Sequence, residues 1–300
     1  MLSAGVYTVA PTPFHDDGSI DLDSVGRLAS FLVELGVEGL LVLGVMGEAH
    51  KLLDHERHAV LGRFVEAVEG KVAIVTGTSF PSAEGAAQLT HIAGDLGADA
   101  ALVSAPRFIK PNLGAVRDYY ETVAEASSIE IVIQDHPALS GTYMPAEFIA
   151  SLGDDIDLAR SVKLEDPPTA PKFAEVLSHA TRELKTYGGL GGAEFIGELE
   201  RGAVGTMTGF AFPEVLLEVY RLFQSGETKQ AREIFYSHLP LIQLEAQQPM
   251  SLAIRKNLYK RRGAIASDRV RKPHGEPDAG TLTALDTLIR DLGLKLKLTT

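Results

Sequence analysis

Short runs of apolar and β-branched residues alternate along the chain with longer stretches whose apolar positions recur at helical spacing. The runs are Val6–Ala10, Gly39–Leu43, Val72–Gly77, Ala100–Ser104, Ile129–Asp135, Leu158–Lys163, Glu183–Tyr187 and Ala203–Thr208. Between most of them lie helical patterns such as Leu22–Leu35, His55–Val68, Ala83–Leu96 and Val116–Ala126. Most runs start about 25–33 residues apart, the length of one strand–helix unit. Eight such units fit a closed (β/α)8 TIM barrel better than an open doubly wound sheet. Continuous apolar strands such as Leu40-Leu41-Val42-Leu43 agree, since helices cover one face and the barrel core the other. The last two runs are only about 20 residues apart, so the helix between them must be short. From about Pro213 onward the pattern is helical throughout: Glu214–Gln224, Lys229–Leu244, Met250–Arg262 and Thr281–Asp291. The expected organisation is a barrel over 1–225 and a C-terminal helical appendage over 226–300.

Composition narrows what such a barrel can do. The chain of 300 residues has 28 Lys+Arg and 40 Asp+Glu, a formal net charge of −12 that disfavours nucleic acid as a partner. With no Cys there is no thiolate chemistry, disulfide framework or iron–sulfur cluster. Residues 1–10 lack the basic-then-apolar pattern of a signal peptide. The strongest apolar run, Gly39–Gly47, spans nine residues against the roughly 20 that cross a bilayer. The expectation is a cytoplasmic protein without membrane or metal.

Barrel chemistry sits at the C-terminal ends of the strands. Lys163 ends the sixth run, where loss of hydration disfavours an ammonium and an amine can attack a carbonyl. The alternative is a lysine that merely pairs with a neighbouring carboxylate. Glu165, two residues on, shares its face if the strand persists and suits proton shuttling. Gly44-Val45-Met46-Gly47-Glu48 follows the second strand; its backbone N–H groups could cradle a carboxylate, or form an ordinary glycine-rich loop. In Gln134-Asp135-His136, alternation puts Gln134 and His136 on one face and Asp135 on the other. Tyr187 is a hydroxyl candidate or a core residue. Thr206 and Thr208 share a face and could bond substrate hydroxyls or nearby backbone. Thr8 and Gly188, on the first and seventh strands, complete the candidate lining.

These residues resemble the dihydrodipicolinate synthase / N-acetylneuraminate lyase superfamily in order and spacing. The resemblance rests on Thr8-Val9-Ala10-Pro11-Thr12-Pro13-Phe14, Gly44–Glu48, Ile131–Pro137, Lys163 and Gly205-Thr206-Met207-Thr208-Gly209, and spans nearly the whole chain. It implies a (β/α)8 homo-oligomer, tetramer or dimer, that needs no cofactor and condenses Lys163 with the keto group of pyruvate or another 2-oxo acid. It also gives the Gly44–Gly47 loop the acid's carboxylate. The departures matter as much. Val45 and Met46 replace two threonines, Gln134 and Phe108 replace two tyrosines, and Leu139 replaces an arginine that grips aspartate semialdehyde in the synthases. The hydroxyl relay is therefore absent, and so is a bidentate carboxylate grip.

Gln134-Asp135-x-Pro137, Lys163-x-Glu165 followed by Pro167, Leu239-Pro240-Leu241-Ile242 and Ala266-Ser267-Asp268-Arg269 look like 2-keto-3-deoxy-L-arabonate dehydratases. The expectation is a Schiff-base lyase, dehydratase or aldolase, for a 2-keto-3-deoxy sugar acid. Lys163 is the nucleophile, Glu165 the leading acid–base group, and Gln134 and Asp135 further catalytic candidates. The rivals are 4-hydroxy-tetrahydrodipicolinate synthase, a non-catalytic 2-oxo acid sensor, and a phosphate-binding enzyme using Gly188–Gly192. His55-x-x-His58 has the wrong spacing for a zinc helix. The basic stretch Arg255–Lys272 is expected to be a solvated helix or a subunit contact.

Overall fold

The computed structural model describes residues 1–107 and 112–296. Eight parallel strands close into a barrel in chain order: β1 (Gly5–Val9), β2 (Gly39–Val42), β3 (Ala73–Gly77), β4 (Ala100–Ser104), β5 (Glu130–Asp135), β6 (Ser161–Leu164), β7 (Lys185–Gly188) and β8 (Gly205–Thr208). β8 pairs back onto β1, with Tyr7 opposite Met207. The helices after the first four strands are α1 (Leu22–Glu34), α2 (Asp54–Val68), α3 (Ala83–Asp95) and α4 (Leu113–Glu125). Then come α5 (Pro137–Ser140), α6 (Ala146–Asp155), α7 (Thr169–His179), α8 (Phe195–Leu199) and α9 (Pro213–Gln224), followed by α10 (Thr228–Glu245), α11 (Ser251–Arg261) and α12 (Ala279–Asp291). The short α8 fits the close spacing of the last two strands. Local chemistry sets several helix starts: Asp21, Ser82, Asn112 and Asp278 each accept a backbone N–H from the first turn of the helix they precede.

Strands β6 and β8 begin later than periodicity suggests. Ala159 and Ala203 are apolar because they are buried in the turns that enter those strands. Buried apolar residues in turns extend a hydrophobic run without extending the ladder.

Two apolar layers result from the alternation of side chains along each strand. Tyr7, Val9, Leu41, Val75, Leu102, Val132, Tyr187 and Met207 pack together inside the barrel. Val6, Leu40, Val42 and Ile74 pack outward against helices. Ile131, Ile133, Val162 and Leu164 do the same on the opposite side. Since Val162 and Leu164 face the helices, Lys163 between them faces the interior. The C-terminal helices share the first of these outer cores: Ile254, Leu258, Tyr259 and Leu285 pack with Leu28, Phe31 and Phe212.

The basic stretch differs from the expectation of a solvated helix. Arg255, Lys256 and Arg262 are buried, because each meets a carboxylate from elsewhere in the fold. Lys256 Nζ lies 2.6 Å from Glu48, Arg255 Nε 3.5 Å from Glu245, and Arg262 Nη2 2.6 Å from Glu214. Arg262 also lies over the Phe31 and Phe212 rings. Buried charges of this kind persist only when paired. Among the described residues no helix is long and apolar enough to cross a membrane. No group of three or more His, Asp or Glu residues there could hold a metal ion.

Candidate active site

Three neighbouring strands bring one inward-facing row to the mouth of the barrel. Ser104 lies opposite Gln134 in the β4–β5 ladder, and Gln134 lies opposite Lys163 in the β5–β6 ladder. Glu165 follows β6 directly, and its backbone N–H donates to Asp135 O at 2.8 Å, so the strand geometry persists past Leu164. Lys163 Nζ then lies 3.2 Å from Glu165 Oε2, with only 7% and 8% of the two side chains exposed. Gln134 Nε2 donates to the same oxygen at 2.8 Å. The other oxygen, Oε1, accepts the backbone N–H of Leu190 at 3.2 Å. Burial works against ionising Glu165. The charge of Lys163, that of His136 and the two donated hydrogen bonds outweigh it and hold the carboxyl below its ordinary range.

The segment after β7 folds over this carboxylate. A Cβ at Gly189 would overlap the Glu165 side chain, so only glycine lets the backbone come this close. Leu190–Gly192 forms a single 3-10 turn.

The second wall is the loop after β2. Leu43 and Glu48 adopt left-handed backbone at φ 54° on either side of Gly44, Val45, Met46 and Gly47. A Cβ on Gly47 would sit 2.7 Å from Leu43 N, which accounts for glycine at that position. Thr12 Oγ1 donates to Gly47 O at 2.6 Å. Glu48 fixes the far end of the loop: fully buried, it accepts from Lys256 Nζ at 2.6 Å, Lys51 Nζ at 3.0 Å and Arg271 N at 3.0 Å. The Glu of the G-x-x-G-E motif therefore ties the loop to α11 and the segment beyond it.

Several expected lining residues point elsewhere. Thr8, Thr206 and Thr208 alternate with the inward Tyr7, Val9 and Met207, so they face the helices. Thr206 and Thr208 do share a face, but not the face of the mouth. Gly188 likewise alternates with the inward Tyr187, and its α-carbon packs against the Glu198 carboxyl of α8. Asp135 continues the outward row of Ile131 and Ile133, and its carboxylate lies 2.6 Å from Lys172 Nζ of α7. Burial pushes Asp135 up to about 6, against the pull of Lys172. His136 accepts the Leu139 N–H at 3.1 Å and so caps α5. Tyr187 faces inward but downward: its hydroxyl donates to Ser3 O at 2.8 Å at the opposite end of the barrel, beside the Tyr7 ring. It plugs the floor and does not reach the mouth. A cavity of about 630 Å³ also lies at that floor, lined by residues such as Met1, Asp99, Glu130 and Arg160, away from Lys163. Phe108 lies outside the described residues. Leu139 is 44% exposed on α5.

Two residues escaped the sequence reading. Ser104 is the last residue of β4 and could have been found by carrying the alternation Ala100, Leu102, Ser104 to the strand's end. Arg255 of α11 reaches the β2 loop, with Nη1 2.7 Å from Met46 Sδ, and no local pattern announces that contact.

A buried lysine–carboxylate pair at the mouth of a closed parallel barrel is the arrangement that an enzyme working through a lysine imine needs. The chain belongs to the family described as Dihydrodipicolinate synthetase family, whose model matches residues 2–292. An L-2-keto-3-deoxyarabonate dehydratase from Azospirillum brasilense is 31% identical over 293 residues, covering 96% of this chain and 94% of the relative. A 4-hydroxy-tetrahydrodipicolinate synthase from Methanocaldococcus jannaschii is 26% identical over 290 residues, covering 97% of this chain and 99% of that protein. The crystal structure of a dihydrodipicolinate synthase from Rhodopseudomonas palustris is similar at a TM-score of 0.91 and 34% identity, covering 96% and 97% of the two chains.

Proposed function

We propose that this protein is a lysine-imine lyase that removes water from a 2-keto-3-deoxy sugar acid. The contact between Lys163 Nζ and Glu165 Oε2 at 3.2 Å carries the reading. Lys163 passes a proton to Glu165 and its free amine attacks the C2 carbonyl; Glu165 returns that proton to the carbonyl oxygen, which leaves as water and gives the protonated imine. The imine withdraws electrons from C3, and Glu165 takes the C3 proton to leave an enamine. The enamine expels the C4 hydroxyl, which leaves as water with the proton that Glu165 returns. Hydrolysis of the imine frees Lys163. Gln134 has no proton to exchange; it holds the carboxylate in place, and the amides of the Gly44–Gly47 loop receive the substrate carboxylate.

Dehydration suits this row better than aldol cleavage. A single carboxylate beside the imine serves both proton steps in turn. Cleavage needs a base at the C4 hydroxyl, and the Tyr187 hydroxyl is engaged at the barrel floor. The 31% identity to the arabonate dehydratase supports the same choice. The 34% identity to the Rhodopseudomonas synthase favours a second reading, condensation of pyruvate with aspartate semialdehyde. Leu139, where an arginine would grip the semialdehyde, opposes it.

Val45, Phe80 and Tyr143 on loops and Leu139 on α5 are large, exposed apolar side chains at the mouth end, and a second copy of the chain is the partner proposed to cover them. The test of function is turnover of a panel of 2-keto-3-deoxy pentonates and hexonates, with products separated. Loss of water from one of them is the expected result. Production of pyruvate alone, or turnover only of pyruvate with aspartate semialdehyde, overturns the proposal.

A further inference from the structure

The β2 loop and α11 meet above the end of β8. Among the described residues, none accepts the backbone N–H of Val45, Met46 or Gly47. Three successive amides without acceptors, in a turn closed by the Glu48 N–H on Val45 O, are donors available to an anion. Arg255 stands beside them, 4% exposed. Its Nη1 lies 2.7 Å from Met46 Sδ, and a Cβ at Gly209 would be 3.3 Å from the same nitrogen. Met207 faces the barrel interior and Gly209 lies just past the end of β8, so this guanidinium stands beside the C-terminal end of that strand. Its Nη2 reaches the β7 side, where a Cβ at Gly191 would lie 3.1 Å away.

A thioether is a weak acceptor for a guanidinium. The carboxylate nearest to Arg255 is that of Glu245, 3.5 Å from Nε, and its Oε2 already accepts the Ala211 N–H at 3.0 Å. The side chain is buried, and its Nε, turned to Glu245, makes no hydrogen bond; among the described residues Nη2 donates to no acceptor either. A guanidinium with so few strong acceptors has donors left for a ligand. A planar guanidinium next to three free amides matches a carboxylate in both charge and shape.

We infer that Arg255 determines specificity for the 2-oxo acid: its guanidinium, with the Val45–Gly47 amides, binds the C1 carboxylate. The inference rests on the proposed lyase function and adds the positive charge that the loop alone lacks. Val45 and Met46 stand where the related motif has two threonines, so the loop here offers no side-chain hydroxyl, and Arg255 of α11 supplies a cation beside it. The basic stretch that reads from sequence as a solvated helix or a subunit contact thereby supplies a binding group.

The test compares pyruvate with methyl pyruvate, which keeps the ketone and loses the charge. Half-saturation of borohydride-trapped adduct is measured for wild type, Arg255→Gln, Arg255→Lys and the double variant Arg255→Gln/Glu245→Gln. We expect Arg255→Gln to raise the pyruvate concentration needed by roughly ten- to a hundredfold. Methyl pyruvate should shift by no more than about twofold, because no charged contact is lost with it. Arg255→Lys should recover part of the pyruvate preference. The double variant should behave as Arg255→Gln does. Equal weakening of both ligands, no change with pyruvate, or restoration in the double variant overturns the inference. A wild type that traps neither compound defeats the lyase reading instead. Calorimetric binding of pyruvate then decides the inference directly: loss of affinity in Arg255→Gln upholds it, and unchanged affinity overturns it.

Discussion

Lys163 Nζ and Glu165 Oε2 lie 3.2 Å apart because the strand carries its alternation two residues beyond Lys163, and both side chains enter the same nearly closed mouth. The nucleophile and its proton acceptor are thus held by one short stretch of backbone. Gln134 of β5 and the Leu190 N–H of the turn after β7 fix the carboxylate from two sides.

Replacing Glu165 with Gln keeps most of this packing and removes the proton acceptor. Turnover of the preferred keto acid should fall by about 10²–10⁴-fold. Trapping of the imine by borohydride should persist at a reduced rate, since Lys163 remains. Rapid-quench kinetics with mass readout separates the two steps.

The acid side of the pH profile follows from the direction of the Glu165 shift. A carboxyl held below its ordinary value remains ionised as pH falls through the usual carboxylate range. The acid limb of kcat should therefore lie below pH of about 4.5, the ordinary glutamate region. Gln134→Leu removes one stabilising donor and should move that limb upward. A limb unmoved by the substitution would detach Gln134 from Glu165.

Asp135 faces α7, not the mouth. Asp135→Asn should cost less than about tenfold in turnover, well short of the Glu165→Gln loss. Parallel steady-state assays of the two variants check the assignment. A comparable collapse in both would return Asp135 to the catalytic set.

Glu198 sets a stability trend. It is buried behind Gly188, accepts from Thr169 Oγ1 at 2.7 Å, and burial pushes it up to about 8. The unfolded chain releases this proton near the ordinary glutamate value, whereas the native state keeps it to about 8. Stability from this group is therefore complete at low pH and is lost as pH rises through that window. Glu198→Gln keeps the hydrogen bond without the titration. Its advantage over wild type in unfolding free energy, read by denaturant titration, should grow from pH 5 to pH 8.5 and reach about a few kcal/mol. A gap independent of pH contradicts the assignment.

Lys256→Met leaves Glu48 buried with less positive charge around it. Denaturant titration should show a loss of about 3–5 kcal/mol. Because Glu48 anchors the Gly44–Gly47 loop, the variant should also need more pyruvate to saturate. Loss of stability without that change would make the anchor structural only.

The barrel itself was legible because buried parallel strands are runs of apolar residues, and each of the strands β1 to β8 overlaps one of those runs. Lys163 and Glu165 were legible because two residues of strand spacing fix a shared face. The placement of Thr8, Thr206 and Thr208 was not, since the barrel interior is as apolar as its outer face: Met207 and Val162 look alike in sequence yet point opposite ways. Nor could Tyr187 be placed at the floor, because alternation fixes the face of a residue but not which end its hydroxyl reaches. Arg255 and Lys256 were hidden for a different reason. Their partners, Met46 and Glu48, lie 209 and 208 residues away, and nothing local distinguishes them from the exposed Lys260 nearby.

The most direct test is the intact mass of the protein after incubation with pyruvate and borohydride, beside a Lys163→Ala control. The account predicts one reduced pyruvyl adduct on the wild-type chain and none on the control. No adduct on the wild type, with pyruvate or with a series of longer 2-oxo acids, would contradict it; so would an adduct that survives removal of Lys163.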